Sequence, residues 1–238
     1  KSFISAIEDF DQAVKYDANN ADAYLKRAIA KEQLKDHQGA IKDCNEAIRL
    51  DYFNTGAYLR RGAIRMEIGE YEEALGDFQQ AIRLDPDNSY AYFTRALVKI
   101  ELADTSGAIL DYNKVIEMDP YNALTYYNRG ILYADIGNME KAIEDFDKVL
   151  LLNPMNVYTY YNRAAARHTL GRYREAIDDY TEAIKIFPDF AGAYINRSAA
   201  WNNLKEYEKA NQDYETAMEI INALHGESEY SEDLFKKY

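Results

Sequence analysis

Two adjacent stretches decide the fold: residues 123–156, ALTYYNRGILYADIGNMEKAIEDFDKVLLLNPMN, and residues 157–190, VYTYYNRAAARHTLGRYREAIDDYTEAIKIFPDF. Laid one above the other they align over 34 residues without a gap, sharing Tyr127-Asn128-Arg129 with Tyr161-Asn162-Arg163, Gly137 with Gly171, Ala142 with Ala176 and Pro154 with Pro188. Self-similarity at a fixed period is the signature of a stacked-repeat architecture, and it outranks any element-by-element reading.

The same frame extends in both directions. Full units occupy 21–54, 55–88, 89–122, 123–156, 157–190 and 191–224, while residues 1–20 match the second half of a further unit. Position four is always Tyr (Tyr24, Tyr58, Tyr92, Tyr126, Tyr160, Tyr194), position eight is always small, and position 20 is always Ala. Position 24 is aromatic except for Cys44, and all four prolines stand at position 32. Positions four, eight and 11 recur at helical spacing and give a first helix one packing face. Small residues at positions eight and 20 let two helix backbones approach closely, with the aromatics filling the space beside them. Gly69, Gly137 and Gly171, at position 15, suit a left-handed helix C-terminus, and the prolines stop the second helix.

This pattern resembles the tetratricopeptide repeat, a helix–turn–helix unit of the same length, over residues 1–224. The resemblance implies an all-α, right-handed superhelical solenoid with first helices lining a concave groove and second helices outside. One departure is regular: where the family usually has Leu at position seven, this chain has Arg. Residues 1–20 read as a second helix without its first, as in a fragment of a longer array. Residues 225–238, with Tyr230, Leu234 and Tyr238 four apart beside Phe235, read as a capping helix or an acidic tail.

Charge and composition narrow the function. With 28 basic and 41 acidic residues the net charge is −13, which opposes nucleic-acid binding. No apolar run is long enough to span a membrane, and the single cysteine forms no internal disulfide. His37, His168 and His225 share no repeat and no metal-ligand spacing with Cys44, which occupies an aromatic core slot. No phosphate loop, nucleophile elbow or zinc motif occurs, so no cofactor, metal or catalytic residue is expected.

Two columns invite a functional reading. Arg27, Arg61, Arg95, Arg129, Arg163 and Arg197 stand at position seven, and Asp43, Asp77, Asp111, Asp145, Asp179 and Asp213, preceded by Asp9, stand at position 23. Position seven faces the second helix, and a buried Arg is seldom left unpaired, so these columns are expected to form a structural ladder of ion pairs.

By resemblance, positions two, five, six, nine, 12 and 13 face the groove. There Lys26 and Arg60 would prefer acidic ligand residues, and Tyr90, Phe93, Tyr127, Tyr158 and Tyr161 offer rigid contact area. Asn128, Asn162 and Asn196 share position six. An amide supplies a donor and an acceptor and can bridge the main chain of an extended peptide without reading its sequence. The column is similar to the asparagine ladders of the repeat domains of O-linked N-acetylglucosamine transferases and of importins, shortened to three rungs because Lys26, Arg60 and Thr94 take the earlier places. The same residues would equally serve to bind neighbouring units together. The carboxylate clamp of chaperone-binding relatives is absent, since no unit has Lys at position five or Asn at position nine. The reading is a non-enzymatic module that binds an extended segment of a partner protein. The alternatives are a scaffold that uses its convex face or ends, self-association through the open array ends included, and a substrate-targeting domain of a larger enzyme.

Overall fold

A computed structural model describes the backbone of residues 2–235 and the side chains of residues 2–223. Among the described residues there are thirteen helices and no strand, gathered into two compact units, Lys1–Pro120 and Tyr121–Tyr238.

The first unit contains α1 (Phe3–Tyr16), α2 (Ala21–Gln33), α3 (His37–Leu50), α4 (Thr55–Glu67), α5 (Tyr71–Leu84), α6 (Ser89–Glu101) and α7 (Thr105–Met118). Each packs on the next in sequence, and α4 also touches both α2 and α6. The second unit contains α8 (Ala123–Asp135), α9 (Met139–Leu152), α10 (Val157–Thr169), α11 (Tyr173–Ile186), α12 (Ala191–Asn203) and α13 (Tyr207–Phe235), packed in the same sequential way, with α10 touching α8 and α12. Helix α13 runs on to Phe235, through most of the stretch expected to hold a separate capping helix or an acidic tail. The side chains of Tyr230, Leu234 and Phe235, and all of Tyr238, lie outside the described residues.

Local chemistry sets these boundaries. Asn20, Asn54, Asn88, Asn122 and Asn156, at position 34, each accept a bond from the backbone N–H three residues on and so cap the following first helix. Every first helix then ends in a left-handed turn at position 15. Gly69, Gly137 and Gly171 take φ of 81°, 80° and 74°, but Lys35, Ala103 and Lys205 take 62°, 58° and 63° at the same place. The following N–H reaches back across the turn, as in Asn138 to the Tyr133 carbonyl at 2.8 Å, so the six-to-one bond of this motif forms with or without glycine.

The small and aromatic columns meet in the core. Ala74, Ala142 and Ala176 are fully buried beside Phe78, Phe146 and Tyr180, which are buried to within 1%. Gly130 shows how close the approach is: a Cβ there would lie 2.8 Å from Cε1 of Phe146. Cys44 fills its aromatic slot with no exposed surface, and burial pushes its thiol up to about 12.

Candidate functional site

The arginine and aspartate columns meet inside each hairpin. Arg163 donates through Nε and Nη2 to the two carboxylate oxygens of Asp179 at 2.9 and 2.6 Å, and Arg27, Arg95, Arg129 and Arg197 grip Asp43, Asp111, Asp145 and Asp213 in the same two-pronged way. Arg61 reaches Asp77 likewise. The carboxylates are 2–6% exposed, so they have given up water for these bonds. In Arg27 the hydrogen bond to Asp43 holds the guanidinium above its ordinary pKa.

Three further interactions were not read from the sequence. A second cation at position 11 reaches the same aspartate in four hairpins: Lys31, Arg65, Lys99 and Arg167 lie 2.7–2.8 Å from Asp43, Asp77, Asp111 and Asp179. Each column arginine also stacks on the position-four Tyr of its own helix, with the guanidinium carbon 5.3–5.6 Å from the ring centre. Finally, Nη1 crosses to the preceding hairpin, as in Arg163 to Asp147 at 2.6 Å and Arg197 to Thr181 at 2.8 Å. One side chain therefore joins its own two helices and its neighbour.

The remaining site residues stand at positions two, five and six of the first helices. In the first unit the two cations are already engaged. Lys26 pairs with Asp22 one turn earlier at 2.6 Å, and Arg60 donates through Nη1 to Glu32 of the preceding hairpin at 3.0 Å. Phe93 is half-buried against Tyr112, ring centres 5.6 Å apart, while Tyr90 stands 54% exposed. Tyr90 closes one side of a hollow of about 240 Å³ floored by Gly56, Leu59, Arg60 and Ala63.

In the second unit the amides are coupled to tyrosines. Asn162 Nδ2 donates to the hydroxyl of Tyr127 at 2.9 Å, and Asn196 Nδ2 donates to that of Tyr161 at 2.8 Å, each reaching back 35 residues to the preceding first helix. The tyrosine rings are seated in turn on Phe146 and Tyr180 at 6.1 and 5.8 Å. Burial raises the Tyr127 hydroxyl above its ordinary pKa while the amide bond opposes the shift, so it remains a neutral donor. The first couple thus leaves an amide carbonyl as acceptor and a phenol O–H as donor, whereas the Asn196 amide also meets the buried Tyr180 hydroxyl. Asn128 is half-buried at the equivalent place on α8. A hollow of about 180 Å³, lined by Ile131, Met139, Phe146 and Asn162 among others, opens beside the first couple. On the face positions of this unit the charged side chains reduce to Asp135, beside His168, whereas the first unit carries six.

The comparisons agree with this architecture. Sequence models described as the tetratricopeptide repeat match residues 3–55, 56–88, 89–122, 123–156 and 157–190. The chain belongs to the tetratricopeptide repeat family. Its fold is accordingly an all-α solenoid of tetratricopeptide repeats, and such an array is a protein-interaction module. No curated protein matches it. Among solved structures, the C-terminal part of a TPR repeat-containing protein from Cytophaga hutchinsonii is similar at TM-score 0.80 and 20% identity, covering 92% of this chain and 90% of that one. A tetratricopeptide repeat protein from Parabacteroides merdae gives TM-score 0.71 and 24% identity, covering 83% and 78%. YrrB, described as a TPR protein with an unusual peptide-binding site, gives 0.70 and 21%, covering 77% and 95%. At these identities the likeness concerns the fold alone.

Proposed function

We propose that this tetratricopeptide repeat protein is a non-enzymatic module that binds an extended segment of a partner protein across the exposed face of its first helices. The observation that carries the reading is the pair of Asn–Tyr couples, Asn162 with Tyr127 and Asn196 with Tyr161. An extended peptide offers alternating N–H and C=O groups, and the Asn162–Tyr127 couple presents the complementary acceptor and donor on a ring held rigid from below. Preorganisation matters here, because a side chain already fixed by its neighbour loses little entropy on binding. Lys26 and Arg60, each paired with one carboxylate within the chain, would contribute to ligand choice through their remaining N–H donors or by exchanging Asp22 or Glu32 for an acidic ligand residue. That YrrB is described as having a peptide-binding site is compatible with the proposal. The same couples also tie adjacent hairpins together, so the test has to separate binding from stability.

Dodecapeptides selected from a random phage-displayed library on the whole chain supply the ligand. Their Kd is then compared between the native chain and the Asn128→Ala, Asn162→Ala, Asn196→Ala variant. Each hydrogen bond is worth on the order of 0.5–1.5 kcal/mol, so three together weaken binding roughly 10- to 1,000-fold. A Kd unchanged within about twofold in a variant with native circular dichroism would overturn the proposal, and would turn attention to the other faces of the array as scaffold surfaces.

A further inference from the structure

One junction breaks the rule that the others keep. Five first helices are capped by Asn at position 34, but the N-cap of α12 is Phe190, whose side chain makes no capping bond. Three residues earlier, Phe187 stands where Asp51, Asp85, Asp119 and Asn153 stand in other units. Losing a cap costs stability, and places where a chain breaks its own local rule are expected to be functional. The two phenylalanines are in contact, ring centres 5.9 Å apart, and Phe190 also meets Tyr161 at 4.9 Å and Tyr158 at 6.0 Å. Four rings thus form one cluster, with Tyr158 61% and Phe187 45% exposed. Gly192 leaves the edge of Phe190 uncovered, where a Cβ would sit 3.4 Å from the ring.

The electrostatics point to a particular occupant. Asp189 is exposed between the two phenylalanines, in the turn Phe187-Pro188-Asp189-Phe190, and no ion pair engages it among the described residues. The nearest lysine in sequence, Lys185, is held by Glu182 at 2.6 Å. Ring faces are electron-rich, and a planar guanidinium satisfies both a ring face and a carboxylate, which an ammonium does less well. The chain's net charge of −13 favours the same sign of ligand at longer range. We propose that the cluster of Tyr158, Tyr161, Phe187 and Phe190, with Asp189 at its rim, is a docking site for an arginine side chain of the partner segment. The inference rests on the partner-binding reading above and adds to it the residue that would anchor one end.

The repeat itself supplies a clean control. The Phe187→Asp, Phe190→Asn variant restores the residues found at the other junctions, so it is expected to fold with its α12 cap regained. Asp189→Asn keeps the rings and removes the charge. Dodecapeptides selected on the whole chain are sorted by whether the double variant still binds them. Those lost on it should share an arginine; replacing that arginine by neutral citrulline should weaken binding about 3- to 30-fold, and Asp189→Asn should weaken the arginine peptide but not the citrulline one. Cluster-dependent peptides without a shared arginine, or equal Kd for the citrulline form, would overturn the inference. Peptides that lose affinity on the asparagine variant yet bind the phenylalanine variant normally would sink this inference and leave the groove reading standing. Peptides with the opposite behaviour would do the reverse.

Discussion

Replacing Asp179 by Ala should be among the most damaging single changes available in the second unit. Its carboxylate, 3% exposed, accepts three bonds from Arg163 and Arg167 at 2.6–2.9 Å. Removing it takes the buried partner from two guanidiniums, although Arg163 keeps Asp147 at 2.6 Å and its stack on Tyr160, and Arg167 keeps Glu175 at 3.6 Å. Breaking a buried pair from one side costs about 3–5 kcal/mol, most of it the penalty for the uncompensated charge. Asp145, where Tyr133 replaces the second cation and Arg129 is the ion-pair partner, should fall at the lower end of that range. The Arg163→Met, Arg167→Met, Asp179→Leu triple variant, which removes every partner, should recover most of the loss, because an apolar replacement of a buried pair is often neutral. Repeat arrays need not unfold in one step, so the measurement is urea unfolding by circular dichroism together with amide exchange on α10 and α11. If Asp179→Ala costs under about 1 kcal/mol, or if the triple variant is as unstable as the single, these pairs are not a coupled buried network and the argument fails.

Other outcomes follow from single positions. Ala103→Gly should stabilise by roughly 0.5–1 kcal/mol, because Ala103 holds φ at 58°, while Gly137→Ala should cost about 1–2 kcal/mol; urea midpoints read both. Thr159 is fully buried with its hydroxyl unpartnered, at a position that is Ala23, Ala57, Ala91 or Ala193 in other repeats. Thr159→Val should therefore raise stability by up to about 1 kcal/mol, and a loss of that size in thermal unfolding would count against it. Burial lifts the Cys44 thiol from 9.0 to about 12, so its contribution is intact below pH 9 and disappears as pH climbs toward 12, where the unfolded chain alone ionises. The difference in stability between the native chain and Cys44→Ala should shrink over that window by at most about 4 kcal/mol; no change across it would show that the thiol is not sequestered.

Much of the fold was legible because every constraint recurs in one register. Across the six full units, Ala at position 20 and Tyr at position four report the same packing six times and the aromatic at position 24 five times, and the charge columns declare their partner by matching in phase. The left-handed turn at position 15 was legible only where glycine marks it; Lys35, Ala103 and Lys205 adopt it with the same six-to-one bond closing the turn. The candidate site was less legible, because it depends on which positions of successive hairpins touch. That Asn162 meets Tyr127 requires knowing that position six lies beside position five of the preceding unit. Lys26 was readable as paired, since Asp22 lies one helical turn before it, but Arg60 reaches Glu32 across 28 residues. Phe190 could have been found by reading down position 34, where it interrupts five asparagines.

The two units differ in what they ask of a ligand, and the difference follows from how their charges are spent. In the first unit, Lys26 with Asp22 and Arg60 with Glu32 are internally neutralised, so an acidic ligand residue there either shares an already paired cation or exchanges with its partner. Such an exchange gains little free energy, because one solvent-screened pair replaces another. In the second unit the face is nearly free of charge, its hydrogen-bonding groups are neutral and pre-positioned, and Tyr158 is exposed beside the half-buried Tyr127 and Tyr161. Main-chain and aromatic contacts cost less desolvation than charges do, so net binding free energy should concentrate there even though the cations of the first unit look more inviting in the sequence. Alanine substitutions at Tyr158 and Phe190 should accordingly weaken a selected peptide more than substitutions at Lys26 and Arg60, and the reverse order would place the dominant contacts on the first unit.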